Sequence, residues 1–444
     1  MDSLIRIIHD SAQPLTGSLC DYDSVLDLVG DARFVLLGEA SHGTHEFYRE
    51  RAQITKRLIN ERGFDAVMVE ADWPDAYRVN RFVQSQSDDV DSVDALAGFK
   101  RFPAWMWRNA DVLDFIGWLR THNDDCAKAE TRVGFYGLDL YSLHTSINVV
   151  IGYLEKVDPA SAKRARKRYG CFEQFGGDTH IYGMATQTGA ARSCEQDAVN
   201  ELVELQLRAA QYLERDGRMA EEELFAAEQN ARLVKNAEQY YRAMFLGSVS
   251  SWNLRDQHMA ETLRSLATHL EEQSRRPAKI VVWAHNSHLG DARATQMGDA
   301  GELNLGQLVR QLFPNQSCSI GFMTDHGTVT AASEWGAPAE RKQVRPALEG
   351  SYEAVFHGTG LPRFFLNLRN ESEARFNLAH PRLERAIGVI YKPETERLSH
   401  YFRAQLSHQF DGVLYFDETR AVEPLERTSE WEQGELAETF PSGI

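Results

Sequence analysis

Short apolar runs recur along the chain, each as long as one buried strand, and longer stretches with apolar residues at helical spacing separate them. Six of these runs are predicted as strands: 34–37, 66–69, 133–136, 280–283, 319–323 and 412–416. Well-separated apolar strands that alternate with helices are typical of a parallel sheet covered by helices on its faces. The pattern therefore predicts an α/β fold with a mostly parallel sheet and flanking helices.

Two stretches depart from this pattern. Residues 151–250 carry few strand signals and many apolar residues at helical spacing, such as Leu202 and Leu205, which predicts a helical insertion. Residues 327–390 mix both signals and predict a small α+β region with a strand at 363–368. The predicted domains are the first part of the α/β domain (1–150), the helical insertion (151–250), the second part of the α/β domain (251–326), the small α+β region (327–390), and a return to the α/β domain with a C-terminal tail (391–444).

The stretch after the first predicted strand carries four ionisable side chains within eight residues: Glu39, His42, His45 and Glu46. Gly38 ends the apolar run, as glycine does where the backbone turns tightly or another group comes close. Thr44 is predicted to cap the next helix and Gly63 to end it. A strand, a glycine turn and a helix start form the place where α/β enzymes put chemistry.

Arg51 lies on the apolar stripe of that helix, between Phe47 and Ile54. A buried arginine needs a partner, because an unpaired charge away from water is very costly. One interpretation is a structural ion pair. The other is a guanidinium aimed at the turn that carries Glu39 and His42, with Glu70 as its partner. The pattern leaves both open.

Ionisable residues follow every one of the six predicted strands. They are Glu39 and His42, Glu70, Asp139, His285 and His288, Asp325 and His326, and Asp417. The carboxyl ends of parallel strands share one edge of a sheet, and ligands bind at that edge in such folds. The recurrence therefore predicts a site shared by these residues.

Glu39 and His42 form a candidate acid–base pair, because a carboxylate can orient an imidazole and raise its basicity. The alternative is a turn histidine that only satisfies local hydrogen bonds. The pairs His42/His45 and His285/His288 share HxxH spacing, and with Glu39 and Glu70 they could instead hold a metal.

Aromatic residues close to these motifs are candidates for the walls of a substrate cleft. They are Trp105, Trp107 and Tyr77. Aromatic side chains at this density also fill hydrophobic cores, so the sequence leaves both interpretations open.

Composition excludes several classes of function. The net charge of −17 argues against nonspecific binding of nucleic acid or anionic membranes. The chain has no GxSxG nucleophile elbow, no GxxxxGK[ST] loop and no GxGxxG after a strand, which disfavours common serine hydrolases and nucleotide sites. Five scattered cysteines without a CxxC pair suit a reducing compartment, and no apolar run is long enough to span a membrane. We expect a cytoplasmic protein.

Several of these segments resemble the erythromycin esterase family. The matching segments are GEASHG at 38–43 with the downstream Arg51, then 69–71, 103–107, 283–288, and the end of the chain from 399–402 to 416–419. The resemblance spans nearly the whole chain. It implies hydrolysis of a small-molecule ester or macrolide lactone by water, without a covalent enzyme intermediate and without a required metal or cofactor.

The resemblance also implies roles for individual residues. His42 matches the general base, Glu39 the acid beside it, Arg51 the arginine of the first helix, Glu70 the acid after the second strand, and His285 and His288 the paired histidines. The stretch 70–77 is more similar to members loosely called succinoglycan-biosynthesis proteins than to antibiotic-resistance enzymes. Distant relatives of the fold include metal-dependent peptidases, so a metal-dependent hydrolase or a ligand-binding protein without turnover remains an alternative.

Overall fold

The computed structural model describes residues 2–127, 131–175, 178–213 and 218–433. Its helices are α1 (Asp2–Ser11), α2 (Asp23–Val29), α3 (His45–Arg62), α4 (Trp73–Val83), α5 (Ser92–Leu96), α6 (Ala110–Asp125), α7 (Leu143–Val157), α8 (Pro159–Glu173), α9 (Thr179–Gln187), α10 (Glu195–Leu213), α11 (Arg218–Ala243), α12 (Ser248–Ser274), α13 (Asn286–Leu289), α14 (Gln296–Asp299), α15 (Leu305–Leu312), α16 (Tyr352–His357), α17 (Glu373–Leu378), α18 (Glu396–Ser399), α19 (Leu406–Gln409) and α20 (Ser429–Gln433). Its strands are β1 (Gln13–Pro14), β2 (Phe34–Leu37), β3 (Ala66–Asp72), β4 (Gly134–Asp139), β5 (Ile280–Trp283), β6 (Ser317–Ala331), β7 (Glu340–Val344), β8 (Arg363–Asn367), β9 (Arg382–Arg385), β10 (Tyr401–Ala404) and β11 (Gly412–Thr419).

One nine-stranded sheet organises the chain, in the order β1-β8-β11-β6-β2-β5-β3-β4, with β7 paired to β6. The strands from β11 to β4 in this order are parallel. The strands β1, β7 and β8 pair antiparallel to their neighbours, and β9 and β10 form a separate two-stranded antiparallel sheet. The prediction of an α/β fold with a mostly parallel sheet is confirmed.

The central strands alternate their side chains between two hydrophobic cores, as strands buried on both faces must. Val35 and Leu37 of β2 belong to the core that α3 and α6 cover, whereas Phe34 and Leu36 belong to the core with α7 and α12. The helices α10 and α11 share this second core, which also contains Leu202. Helices therefore cover the sheet on both faces.

All six predicted strands form, and 34–37 and 280–283 have the predicted bounds. The largest difference is β6, which continues to Ala331 because its polar second half pairs with β7. The predicted strand at 363–368 forms as β8, but it pairs with β11 in the main sheet and not within a separate small region. The domain boundaries stay predictions, and helices fill most of the described part of 151–250.

Two further observations concern the expectations of a reducing compartment and of no membrane-spanning segment. Cys171 and Cys194 form a disulfide that joins α8 to the start of α10, a pairing that their scattered positions did not predict. In the described ranges, no helix is both long enough and apolar enough to cross a membrane.

Candidate active site

A cavity of about 390 Å³ opens at the carboxyl edge of the sheet, beyond the ends of β2, β5, β3 and β4. These four strands are neighbours, so the polar groups that follow them meet there. Five residues from the predicted set line this cavity: His42, Glu70, Asp139, His285 and His288. The sequence prediction that strand ends create a shared site is therefore correct for this group.

The turn after β2 holds Glu39 and His42 in a fixed arrangement. A side chain at Gly38 would bring its Cβ to 2.1 Å from Oδ1 of Asn286, so this glycine permits the close approach of α13. His42 Nδ1 and Glu39 Oε1 are 2.9 Å apart, and Glu39 is almost fully buried. Thr44 is the N-cap residue of α3, and its hydroxyl bonds to Ser41 instead of capping the helix.

Arg51 is fully buried on α3 behind this pair. Its Nη2 donates to Glu39 Oε2 at 2.6 Å, so its partner is Glu39, and the expectation of Glu70 as the partner is wrong. The guanidinium carbon lies 4.5 Å from the centre of the Tyr48 ring and 5.3 Å from that of Trp283. Arg51 therefore holds Glu39 from the protein interior and is separated from the cavity by the carboxylate it binds.

Glu70, near the end of β3, is a buried carboxylate that accepts two hydrogen bonds. Oε1 accepts from Arg255 Nη2 at 2.7 Å and Oε2 accepts from the backbone N–H of His285 at 2.8 Å. Burial raises the pKa of Glu70, but His288, Arg255 and His42 outweigh burial and hold the pKa well below its usual range. Glu70 is therefore a permanent negative charge close to His42.

His285 is a neutral imidazole with one ring nitrogen that, among the described residues, is buried without a well-formed hydrogen bond. Its Nδ1 accepts from the backbone N–H of Ser287, which places the ring proton on Nε2. Within the described part of the chain, Nε2 is buried without a well-formed hydrogen bond, and the backbone of Ala40 lies close enough to favour the protonated ring. Burial lowers the pKa of His285 to about 3, and its ring centre lies 4.9 Å from that of His42. The arrangement provides an N–H donor beside the acid–base pair.

His288 is held from two sides. Its Nδ1 lies 2.9 Å from Asp256 Oδ1, and its ring stacks on Trp252 with centres 4.4 Å apart. Burial lowers the pKa of His288, but the carboxylates of Asp256 and Glu70 outweigh burial, so the pKa is raised overall. Asp256 and His288 therefore form a second carboxylate–imidazole pair beside Glu70, in addition to the Glu39–His42 pair.

Arg255, on α12, connects the acidic groups of the site. It bonds Asp139 through Nε and Nη2, Glu70 through Nη2, and lies 3.0 Å from His288 Nε2 through Nη1. The sequence analysis did not assign Arg255 or Asp256 to the site. Their position in the middle of a helix gave no periodic signal for the partners that they bind.

The aromatic candidates divide among different locations. Trp105 and Trp107 both pack in the hydrophobic core, Trp107 also lines the cavity, and Tyr77 lines a separate cavity with Tyr136 and Glu222. This placement corrects the expectation of a single aromatic cleft. Other aromatic residues, which the sequence analysis did not assign to the cavity, contribute to its wall: Phe99, Phe102, Tyr141, Trp252, Trp335 and Phe402.

An acidic rim borders the cavity where a second cavity of about 820 Å³ adjoins it, and both are lined by Asp72, Asp75 and Arg101. Arg101 Nη2 donates to Asp72 Oδ2 at 2.8 Å. Burial, with the neighbouring Asp72 as a further cause, raises the pKa of Asp75 to about 7. Nothing in the sequence indicated this rim, because its members come from the end of β3, from α4 and from the loop before α6.

The HxxH pairs do not converge as a metal site would require. His45 Nδ1 binds Asp111 at 2.8 Å, away from His42. The guanidinium of Arg255 already contacts both Glu70 and His288 Nε2, the atoms that would have to ligate an ion. The donor set around His42 therefore fits acid–base chemistry better than metal binding.

Asp325, His326 and Asp417 form a separate group with His357 of α16, and the residues that line the cavity do not include them. In the sheet order, β6 and β11 lie on one side of β2, whereas β5, β3 and β4 lie on the other. The prediction that all six strand ends share one site is therefore corrected, because the edge of the sheet carries two groups.

The fold and the site define an α/β protein with a histidine–carboxylate centre at the carboxyl edge of its sheet. A family model described as Erythromycin esterase matches residues 59–419. The chain belongs to the erythromycin esterase family, as the sequence resemblance indicated.

Relatives align over most of their length. The chain is 22% identical to "Putative hydrolase YbfO" of Bacillus subtilis (strain 168), over 92% of this chain and 90% of that protein. It is also 22% identical to "Erythromycin esterase type II" of Escherichia coli, over 91% of this chain and 93% of that protein.

Solved structures share the fold. One, described as a succinoglycan biosynthesis protein, is similar with a TM-score of 0.77 and 21% identity, over 95% of this chain and 98% of that one. A mutant of the erythromycin esterase EreC in its open conformation is similar with a TM-score of 0.66 and 15% identity, over 96% of this chain and 98% of that one.

Proposed function

We propose that this protein hydrolyses a small-molecule carboxylic ester or lactone with water activated by His42, without a covalent enzyme intermediate. The observation that carries the proposal is the buried Glu39–His42 pair, 2.9 Å apart, whose His42 lines a cavity together with His285. The relatives named hydrolase and erythromycin esterase support the same class of reaction.

His42 acts as the general base. Glu39 accepts a hydrogen bond from the Nδ1–H of His42, so the His42 ring presents Nε2 as a proton acceptor towards the cavity. Water loses a proton to Nε2 as its oxygen attacks the substrate carbonyl, and the same proton then passes to the leaving alkoxide. A positioned base contributes about 10²–10⁴-fold to such a step. Arg51 and Glu39 are positioning residues, because they act through His42.

Two groups stabilise the charges that develop. The Nε2–H of His285 donates to the carbonyl oxygen as it becomes negative, and one such preorganised donor contributes about 10²–10³-fold. The anionic Glu70 stabilises the imidazolium that forms on His42. Arg255 and His288 keep Glu70 ionised, as the low pKa of that carboxyl indicates. In this scheme His285, and not Arg51, is the donor at the oxyanion, because Arg51 binds Glu39.

The cavity walls favour a bulky substrate with apolar surface. Aromatic side chains form much of the lining, and charged groups occupy its acidic rim and its catalytic end. A macrolide lactone is the first substrate to test, because a relative is named erythromycin esterase. Other lactones and esters of comparable size complete the set.

The test is a panel of macrolides, lactones and simple esters, with product formation measured for the wild type and for His42→Gln. The matched control is His45→Gln, which removes a histidine three residues away that binds Asp111 outside the cavity. We expect turnover by the wild type and the control and none by His42→Gln. Tight binding without turnover across the panel would favour a ligand-binding protein, and full activity of His42→Gln would exclude the proposed base.

A further inference from the structure

The second group at the sheet edge, defined as Asp325, His326, His357 and Asp417, is called the β6/β11 cluster here. We propose that the β6/β11 cluster binds one divalent transition-metal ion of the Zn²⁺ type, separate from the candidate active site. One nitrogen or oxygen atom from each of the four residues lies within 4.8 Å of the corresponding atoms of the other three. Ligands of a single four-coordinate ion are spaced within this range.

The backbone brings these residues together from three elements. The strands β6 and β11 are parallel neighbours in which Phe416 pairs with Thr324 and Glu418 pairs with His326. Asp417 and Asp325 therefore occupy matching positions on adjacent strands. His357 is the last residue of α16, which packs against both strands. The cluster is thus a product of the fold, since its members come from three segments that are far apart in the sequence.

The side chains converge through the atoms that would ligate an ion. His357 Nδ1 lies 2.7 Å from Asp417 Oδ1 and 3.7 Å from Asp325 Oδ2. His326 Nδ1 lies 3.0 Å from the same oxygen of Asp325. Both imidazoles therefore direct Nδ1 at the carboxylates, and their planes are nearly perpendicular at 88°. This convergence around shared oxygens distinguishes the cluster from two independent histidine–aspartate pairs.

Neighbouring groups orient the carboxylates, as they do around metal ligands. Asp325 Oδ1 accepts from the backbone N–H of Ala347 at 3.2 Å, which leaves Oδ2 for the cluster. Asp417 Oδ1 accepts from the hydroxyl of Tyr415 at 2.7 Å. The side chain of Asp325 is only 4% exposed and faces a second carboxylate, an arrangement that calls for positive charge. In the candidate active site Arg255 supplies that charge.

The donor set and the exposure define the kind of ion. Two imidazole nitrogens with two carboxylate oxygens suit Zn²⁺ and similar ions, whereas Mg²⁺ and Ca²⁺ prefer oxygen ligands alone. The side chain of His357 is 54% exposed, so an ion can enter from solvent and keep a water ligand on that side.

The test is calorimetric titration of the full chain with Zn²⁺ after removal of metals by a chelator. We expect one ion per chain, and a loss of affinity of at least about 10–100-fold in His357→Ala and in Asp417→Asn, the range known for removal of a group that merely supports a ligand. The matched control is His9→Ala, which removes a histidine from the exposed His9–Asp10 pair on α1, 3.1 Å apart. Its affinity should equal that of the wild type.

Two further measurements make the result decisive. Thermal melts with and without Zn²⁺ should show a rise in Tm for the wild type and for His9→Ala, and no rise for the two cluster variants. Circular dichroism of the metal-free variants verifies that they are folded, and His326→Ala replaces any variant that is not. Unchanged affinity in the folded cluster variants would overturn the proposal. So would loss of the stoichiometric site in His285→Ala, because that loss would place the ion in the candidate active site.

Discussion

The ion pair between Arg51 and Glu39 allows the stability of the fold to be separated from the chemistry of the site. Arg51 is fully buried and its Nη2 lies 2.6 Å from Glu39 Oε2, while Glu39 Oε1 binds His42. Three variants address this pair: Arg51→Met, Glu39→Gln and the double variant. Methionine approximates the length of the arginine stem without its charge, and glutamine keeps the shape of the glutamate.

The expected magnitudes follow from the burial of both partners. Removing one member of a buried pair leaves an uncompensated charge and costs about 3–5 kcal/mol of unfolding free energy. Arg51→Met should lose this amount, because Glu39 would remain as a buried carboxylate. The double variant removes both charges and should recover part of the loss, with a coupling energy of about 0.5–3 kcal/mol.

Activity should not recover together with stability. Without the carboxylate, His42 loses the acceptor that orients its ring, so Glu39→Gln and the double variant should both lose about 10²–10⁴-fold in kcat. The assay combines urea unfolding followed by fluorescence with initial rates on the best substrate of the panel. Recovery of stability without recovery of kcat is the expected pattern.

Two results would refute this reasoning. Free-energy changes of the single variants that add within about 0.5 kcal/mol in the double variant would show that the two charges are not coupled. A kcat of Glu39→Gln equal to that of the wild type would show that Glu39 does not act through His42. The control is Arg57→Met, six positions further along α3, which removes a partly exposed arginine that pairs with Glu61 and should change the unfolding free energy by less than about 1 kcal/mol.

Three other predictions follow from the site. In steady-state kinetics, His285→Ala should lower kcat about 10²–10³-fold with little change in KM. A rise in KM of that size with an unchanged kcat would contradict the role of His285 at the oxyanion. Trp107→Ala should raise KM whereas Trp105→Ala should not, and both should cost about 3–5 kcal/mol in a thermal melt because both side chains pack in the core. A rise in KM in Trp105→Ala alone would contradict their placement. Because burial raises the pKa of Asp75 from 3.8 to about 7, the folded state binds the extra proton, so stability falls as pH rises across this range. Asp75→Asn should flatten that dependence in urea titrations at several pH values, and an unchanged profile would contradict the shift.

The parts of the site that the sequence predicted are those that depend on local order. Glu39 and His42 follow a buried strand and a glycine within six residues, so their proximity requires no knowledge of the tertiary fold. The pairing of Arg51 with Glu39 depended on which way α3 turns that side chain, which periodicity does not determine. The contacts of Arg255 were harder still to predict, because Arg255 lies 116 residues from Asp139 and 185 from Glu70 along the chain.

The order of strands in the sheet explains the remaining difference. The sequence gives the strands in chain order, and every strand end carries an ionisable residue, so a single shared site was the simplest expectation. The sheet instead places β6 and β11 on one side of β2 and the strands β5, β3 and β4 on the other. Strand order is set by long-range pairing and packing. Local patterns therefore predicted the residues that follow the strands in both groups, but neither the separation of the groups nor the helix residues His357, Arg255 and Asp256 that complete them.

The position of β2 in the sheet also has a consequence for synthesis of the chain. The strand that precedes His42 ends at Leu37, but its pairing partners β5 and β6 begin only at Ile280 and Ser317. While a ribosome makes the intervening residues, this apolar strand has no native neighbour, and exposed unpaired strands promote aggregation. The candidate active site therefore forms late in translation, and a chain that stops before β5 lacks both the partners of β2 and the histidines that follow β5.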